Sequence, residues 1–141
     1  MHTLFQNSKV VLVANPQLKD NGAATVTYAD AKGWDHATLL IATGAMDIAL
    51  NGKLQESDAS GSGYADITGA AITEVADTGD GTMMAIEVDL TAGVRKRFLQ
   101  PVLTAGDGST GVYVAAVIIL TRGEASPATA AGAGLAELVK V

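Results

Sequence analysis

Short apolar runs with a period of two residues, separated by glycine-rich turns, constrain the fold of this chain more than any other feature. The clearest run covers residues 83–90, where Met84, Ile86 and Val88 alternate with small or charged residues. A period of two places alternate side chains on one face of a β-strand. Other short apolar runs, some alternating and some continuous, predict further strands at residues 10–14, 23–28, 37–42, 47–56, 64–68, 98–104 and 112–120.

Short strands at regular spacing predict an all-β fold, and we expect a small β-sandwich or jelly-roll-like module with extended arms. Asn15-Pro16 is expected to end the first strand, and Asn21-Gly22 to form the turn that follows it. Asn51-Gly52 marks either a bulge or a tight turn within its strand.

Strand neighbours are predicted from closeness along the chain. Residues 37–42 and 47–56 are expected to pair with each other. Residues 98–104 and 112–120, joined by a glycine-rich turn, are expected to form a final hairpin.

The chain divides into one β domain, residues 1–122, and an Ala- and Gly-rich C-terminal arm, residues 123–141. The domain begins with an N-terminal arm, residues 1–9. The apolar tip of the C-terminal arm is expected either to dock on a neighbouring subunit or to pack on its own domain. The arm residues that we single out for contacts with neighbouring subunits or with another assembly partner are Leu4, Phe5, Leu135, Leu138 and Val139.

The composition predicts a core of small side chains. Hydrophobic residues make up 48% of the 141 residues, but aromatic residues only 4%, so few rings are available to line a ligand pocket. The chain contains no cysteine, which excludes a disulfide framework and a thiolate metal site.

The charge and the length of the apolar runs bear on partners. A formal net charge of −6 argues against nucleic acid, because phosphate contacts need clustered cations. Residues 112–120, the longest apolar run, fall far short of the roughly 20 residues that span a bilayer. Residues 10–14 are shorter than the apolar core of about 7 to 15 residues in a secretion signal. We expect a soluble protein with no nucleic-acid partner and no membrane partner.

Candidates for catalytic chemistry are few. The two histidines are His2 and His36, and neither has an obvious partner. His36 can be grouped with Ser57 and Asp58 as a nucleophilic triad, but nothing like a nucleophile elbow surrounds the serine. The sequence predicts no enzyme and no catalytic residue.

Two further features have a ligand-binding interpretation and a simpler one. Residues 77–81 resemble half of a calcium loop, but the bidentate glutamate of an EF-hand is absent, so a solvated turn is preferred. Trp34, the single tryptophan, is a binding anchor or a ring that covers one end of the core, and we prefer the second interpretation. We predict no metal and no cofactor.

Arg95, Lys96 and Arg97 form the one basic cluster of the sequence. Such a cluster is either the solvated start of a strand or a contact for an acidic surface. In a protein of negative net charge, a carboxylate-rich neighbouring subunit is the preferred partner over DNA. We therefore include these three residues among the candidates for contact with a subunit or another assembly partner.

Several segments, spanning about residues 33–121, resemble one family in order and spacing. The most distinctive is residues 52–58 (GKLQESD), and the others are residues 33–37 (GWDHA), 64–67 (YADI), 96–104 (KRFLQPVLT) and 111–120 (GVYVAAVIIL). Together they resemble the capsid decoration, or cement, proteins of tailed bacteriophages. The C-terminal arm departs from that pattern.

The resemblance implies a structural β module that attaches to the outside of a mature phage head, commonly as a homotrimer, and stabilises the capsid. Its partners would be the major capsid protein and further copies of itself, and it would reside in the virion after assembly in the host cytoplasm. Leu54 is expected to point into the core, and residues 55–58 to shape the following loop. The alternatives are a head-fibre or spike base, a tail component, or a glycan-binding β-sandwich.

Overall fold

The computed structural model describes residues 4–93, 95–123 and 129–137, which fold as strands and loops after a short 3-10 turn at Leu4–Gln6. No α-helix occurs in these ranges. The strands are β1 (Ser8–Lys19), β2 (Gly22–Ala23), β3 (Ala29–Asp30), β4 (Trp34–Met46), β5 (Leu50–Ser57), β6 (Ala65–Ala71), β7 (Met83–Asp89), β8 (Phe98–Ala105) and β9 (Val112–Gly123).

The strands form two antiparallel sheets. Sheet I has the order β1-β9-β4-β7, and sheet II has the order β2-β8-β5-β6, with β3 also paired to β8. Gly22 pairs with Ala105 and Ala29 with Leu99, so β2 and β3 occupy one strand position along the same edge of β8. With these two counted together, the chain passes between the sheets in the order of a jelly roll, and the predicted sandwich fold is confirmed.

The core lies between the sheets and is built from the inward-facing residues of alternating strands. Sheet I contributes Leu39, Ile41 and Ile118, and sheet II contributes Leu54 and Leu103, all with no exposed surface. Burial of such a side chain stabilises the fold by roughly 1.5–3 kcal/mol. Ile86 and Val88 of β7 are also buried, as the alternation in residues 83–90 predicts.

β1 continues through the predicted stop at Asn15-Pro16. Proline cannot donate a ladder hydrogen bond and is tolerated in edge strands and at bulges. Both conditions hold here, because β1 is an edge strand of sheet I and its pairing with β9 shifts register between Ala14 and Gln17. The predicted end of this strand was therefore wrong, whereas the turn at Asn21-Gly22, where both residues have positive φ, is confirmed.

Neither a bulge nor a turn interrupts β5 at Asn51-Gly52, where the pairing with β8 runs without a shift. Gly52 is buried instead. A Cβ atom at this position would lie 3.0 Å from the Cδ1 atoms of both Ile41 and Ile72. The glycine makes room for packing and does not turn the chain.

Two predicted strand pairings are also wrong. β4 and β5 lie in different sheets, and so do β8 and β9, which form no hairpin. The β4–β5 and β8–β9 connections both pass from one sheet to the other, and they do so at the same end of the molecule. There the Asp47 carboxylate accepts hydrogen bonds from the amides of Thr110 (2.9 Å) and Gly111 (2.8 Å), which ties the β4–β5 and β8–β9 connections together.

The predicted strand at residues 23–28 is only partly present, since its middle leaves sheet II. The Thr27 amide donates to the Val13 carbonyl at 2.8 Å, and the Gln17 side chain both donates to and accepts from the Thr25 backbone. This segment therefore crosses to the edge of sheet I and covers part of β1.

The two predicted arms meet the domain at β1 and β9. β1 begins at Ser8, so residues 8 and 9 of the N-terminal arm belong to a strand, and β9 extends to Gly123. In the C-terminal arm, the carbonyl of Ala133 accepts a 2.7 Å hydrogen bond from the Val10 amide, and Ala133 is fully buried. The described part of this arm packs on its own domain.

Candidate interaction surface

The outward side of sheet I is the most unusual surface of the molecule. Side chains of directly paired residues lie on the same face of a sheet. The register places Leu12, Val117, Leu40 and Ala85 in one row across the four strands. On one side the adjacent row contains Val10 and Ile119 together with the polar Thr38 and Glu87, and on the other it contains Ala42, Ala115 and Met83.

The nine apolar residues of these rows, which we call the outer apolar face, are all at least partly exposed, and the backbone of Val10 contacts the C-terminal segment at the edge of this face. Leu12 is 48% exposed and Met83 66% exposed, whereas Leu40, Val117 and Ile119 are half-buried. An antiparallel sheet with one solvated side normally presents polar residues there. Sheet I is instead apolar on both sides at its centre.

The outward side of sheet II has the expected polar character. Lys53 Nζ lies 2.8 Å from Asp66 Oδ2, and Gln55 Nε2 donates to Asp66 Oδ1 at 2.7 Å. The hydrogen bond from Lys53 is the main reason that the pKa of Asp66 is below its ordinary value. Asn51 and Thr104, which are paired across β5 and β8, are exposed on the same side. The two outward sides therefore differ in chemistry, and that of sheet I is the more apolar.

A shallow groove extends the outer apolar face towards the β4–β5 end. It has a volume of about 200 Å³ and is lined by Pro16, Gln17, Ala42, Thr43, Gly44, Tyr113, Val114 and Ala115. Tyr113 is half-exposed beside Gly44, where a Cβ atom would lie 3.0 Å from the tyrosine Cβ. The combination of small residues and one amphipathic ring is suited to contact with another protein surface.

The predicted basic cluster lies at the start of β8, where acidic residues meet its side chains. Arg97 donates to Asp30 through Nε (2.8 Å) and Nη2 (2.7 Å), and its guanidinium lies 4.9 Å from the centre of the Phe98 ring. This bidentate contact is the largest cause of a lowered pKa at Asp30.

The other two basic residues surround the buried Glu56. Arg95 Nη1 lies 3.5 Å from Glu56 Oε1, and the Lys96 backbone amide donates to Glu56 Oε2 at 3.0 Å. The Lys96 ammonium is 3.7 Å from Asp58 and about one-third exposed. The side chains of the cluster thus have a structural role and still line an open cleft.

The candidate contact residues of the arms lie beside β1 or outside the described residues. Leu4 is 60% exposed in the 3-10 turn, and Phe5 is half-buried. The Ser8 hydroxyl donates to the Leu4 carbonyl and fixes that turn to β1. Leu135 is half-buried in the segment that reaches Val10. Leu138 and Val139 are outside the described residues.

The proposed grouping of Ser57, His36 and Asp58 does not form. His36 points outwards from sheet I, in register with Asp89 and Thr121, whereas Ser57 belongs to sheet II. The Ser57 hydroxyl donates to the Ser62 carbonyl and accepts from the Ala59 amide, so it shapes the turn after β5.

The calcium-like loop and the tryptophan also have structural roles. In the loop, Asp80 accepts the Met46 amide at 2.9 Å, and no group of three or more metal-ligating side chains occurs within the described residues. Trp34 packs against the core, and a Cβ at Gly123 would lie 2.7 Å from its ring. Its ring covers one end of the sandwich, as preferred from the sequence.

The outer apolar face was not predicted from the sequence, although a signal for it exists. Residues 37–42 and 112–120 are apolar at nearly every position and do not alternate. Continuous apolar runs are typical of strands buried on both faces. In this chain the second cover is absent from the described residues.

Comparison of the chain with models of known protein families finds no match, and no curated protein is significantly similar to it in sequence. Within the described residues, no helix has the length and apolarity needed to cross a membrane.

Proposed function

We propose that this protein is a capsid decoration protein, a structural module that binds the outside of a mature phage head and stabilises the lattice. The observation that carries the proposal is the outer apolar face. Such a face is typical of a surface that binds another protein, and its nine apolar residues supply no catalytic group. Large exposed apolar patches on otherwise polar surfaces mark protein interaction sites.

The assignment to a virion is supported by the resemblance of residues 33–121 to decoration proteins. Its most distinctive motif, residues 52–58, makes the contacts expected of a structural element. Leu54 is fully buried, Gln55 binds Asp66, and Ser57 closes the following turn. Double-sheet jelly rolls are also frequent in viral capsid domains, which is support by analogy of fold.

The partners in this proposal are further copies of the chain, forming a homotrimer, and the major capsid protein. In the trimer, the outer apolar faces of three subunits surround the threefold axis and share one apolar core. Repeated weak contacts then add over the lattice of the head. The location is the capsid surface of the virion, after assembly in the host cytoplasm.

Co-sedimentation with mature heads that lack decoration tests the proposal. The wild-type chain should bind saturably, at a stoichiometry that matches local threefold positions. Leu40→Asp, which places a charge in the outer apolar face, should bind far less. Thr104→Asp, which places the same charge on the outward side of sheet II, should bind like the wild type.

Two other outcomes would replace the proposal. Binding with fivefold or ring-like stoichiometry would assign the protein to a spike base or a tail structure. Absence of binding to clean heads, together with binding to glycans, would favour a carbohydrate-binding sandwich, a function also found among jelly rolls.

A further inference from the structure

One end of the sandwich carries an open cleft in which cations predominate. The cleft has a volume of about 400 Å³, and Trp34, Leu90 and Ala31 form its apolar walls. Its charged lining consists of Lys32, Arg95, Lys96, Arg97 and a single carboxylate, that of Asp58. We call this the basic cleft. It contains four of the nine Lys and Arg residues of a chain whose net charge is −6.

The charges of the basic cleft are only partly neutralised by neighbours. Arg97 is paired closely with Asp30, but the Lys96–Asp58 contact is long, at 3.7 Å. No carboxylate within the described ranges makes an ion pair with the Lys32 ammonium, and that side chain is exposed. Lys32 and Lys96 therefore remain available to an acidic partner.

The opposite end of the same molecule is acidic. Asp47, Glu74, Asp77 and Asp107 are all exposed there on the loops that leave the strands. These four carboxylates border one depression, and no Lys or Arg of the described chain lines it. We call these four residues the acidic end.

Strand direction places the two charged regions at opposite ends. β8 begins after Arg97 and ends before Asp107, and β4 begins at Trp34 and ends before Asp47. At about 3.3 Å per residue, an eight-residue strand separates the regions by about 25 Å. The molecule therefore has complementary ends and not a uniform negative surface.

We propose that the basic cleft of one copy receives the acidic end of a second copy, so that molecules associate head to tail. The four carboxylates of the acidic end meet a cleft in which Lys32 and Lys96 remain available, and Trp34 and Leu90 supply apolar walls. This contact uses neither the outer apolar face nor a capsid partner, so it stands independently of the proposed function. A heterologous contact of this kind joins copies in series.

The contact is weak in dilute solution. Each exposed ion pair contributes little, and the net negative charge of both copies opposes association. It gains strength where another surface already holds the copies side by side at high local concentration. The association is also expected to be strongly sensitive to salt.

Two complementary variants isolate the contact. The first, Glu74→Lys with Asp77→Lys and Asp107→Lys, reverses the acidic end and leaves Asp47 in its backbone hydrogen bonds. The second, Lys32→Gln with Lys96→Gln, removes the two available charges of the basic cleft and leaves Arg95 and Arg97 in their structural pairs. Neither variant has complementary ends for association with copies of itself. A mixture restores one complementary pair, namely the basic cleft of the first variant and the acidic end of the second.

The test is an NMR titration of the isotopically labelled first variant with the unlabelled second variant, both at up to about 1 mM. We expect amide shifts confined to residues 31–34, 58 and 95–97 at about 0.01 M salt, with affinity falling at least tenfold at about 1 M, where the Debye length shrinks from about 30 Å to about 3 Å. The unlabelled first variant is the matched control and should cause no shifts.

The absence of shifts with the second variant would overturn the proposal, and so would equal shifts with the control. Loss of head binding by the second variant, without any binding between copies, would assign the basic cleft to an acidic capsid surface instead. Because the titration contains no heads, failure of the decoration function would leave its result unaffected.

Discussion

Glu56 is the only charged side chain that is buried among the described residues, and it links sheet II to the basic cluster. It accepts the Lys96 amide and pairs with Arg95. Removing one partner of a buried hydrogen bond leaves the other unsatisfied, at a cost of about 1–3 kcal/mol.

We therefore predict that Glu56→Ala lowers the free energy of unfolding by about 1–3 kcal/mol, measured by chemical denaturation. Glu56→Gln retains a hydrogen-bond acceptor and should lower the free energy of unfolding by less. The neighbouring Gln55→Ala, which changes an exposed hydrogen bond, is the matched control and should lose less than about 0.5 kcal/mol. An equal loss in Glu56→Ala and Gln55→Ala would contradict the structural role of Glu56.

The Asp30–Arg97 pair makes a prediction about pH. The hydrogen bonds from Arg97 hold the pKa of Asp30 below its ordinary value of 3.8. A carboxyl whose folded-state pKa is depressed stabilises the protein above the unfolded-state pKa, and the stabilisation is lost as pH falls through the folded-state value. The pair therefore stabilises the folded protein near neutral pH and not in strong acid.

We expect the fall in melting temperature between about pH 5 and about pH 2 to be smaller in Asp30→Asn than in the wild type. Arg97→Gln should reduce the fall in the same way, because Arg97 is the largest cause of the lowered pKa of Asp30. The double variant should match either single variant. Additive effects of the two substitutions, measured by thermal melting at each pH, would show that the groups act separately.

At the level of elements, two adjacent residues of β4 have different predicted roles, one in folding and the other in association. Leu39 points into the core and is fully buried, whereas Leu40 lies in the outer apolar face. We predict that Leu39→Asp abolishes soluble folding, because an unpaired charge in the core costs several kcal/mol. Leu40→Asp should retain the β-sheet circular dichroism signal and melt cooperatively. Equal damage by both substitutions would mean that the two sides of sheet I are misassigned.

The C-terminal segment covers the edge of β1 through a close backbone contact. Gly134 has a φ of +82°, and a Cβ there would lie 1.6 Å from the Val10 carbonyl oxygen. We predict that Gly134→Ala detaches this segment, so that hydrogen exchange of the Val10 amide accelerates while the core strands keep their protection. Gly61→Ala, at a glycine with open space and no positive φ, is the control. Unchanged exchange at Val10 would show that Ala133 does not hold the edge.

The sequence predicted the elements better than their pairing. Alternation identified β7 because its inward and outward positions differ in polarity, and glycine-rich loops separated the strands correctly. Local sequence patterns gave wrong predictions where contacts between residues far apart in the chain determine the structure. Gly52 serves packing against Ile41 and Ile72, and Pro16 is accommodated by an irregular edge strand.

Sheet membership was not predictable from local patterns either. β8 and β9 are close in sequence, yet they belong to different sheets, and their connection is tied to the β4–β5 connection through Asp47. The basic cluster was identified from the sequence, but its cleft depends on Lys32 and Trp34, which lie more than 60 residues away in the chain.

The whole molecule has two surfaces suited to repeated assembly. The outer apolar face lies along sheet I, and the complementary charged ends lie at the two termini of the strands. An apolar surface gives an association that persists in salt, whereas a charged surface gives one that salt weakens. The two proposed contacts should therefore differ in their response to ionic strength.

The most direct test of the account is the molar mass of the free protein, measured by light scattering on the wild type, Leu40→Asp and Thr104→Asp at high salt. The account predicts a mass of three chains for the wild type and Thr104→Asp, and of one folded chain for Leu40→Asp. A monomeric wild type, or a Leu40→Asp variant that remains trimeric, would contradict the claim that copies of this protein meet through the outer apolar face.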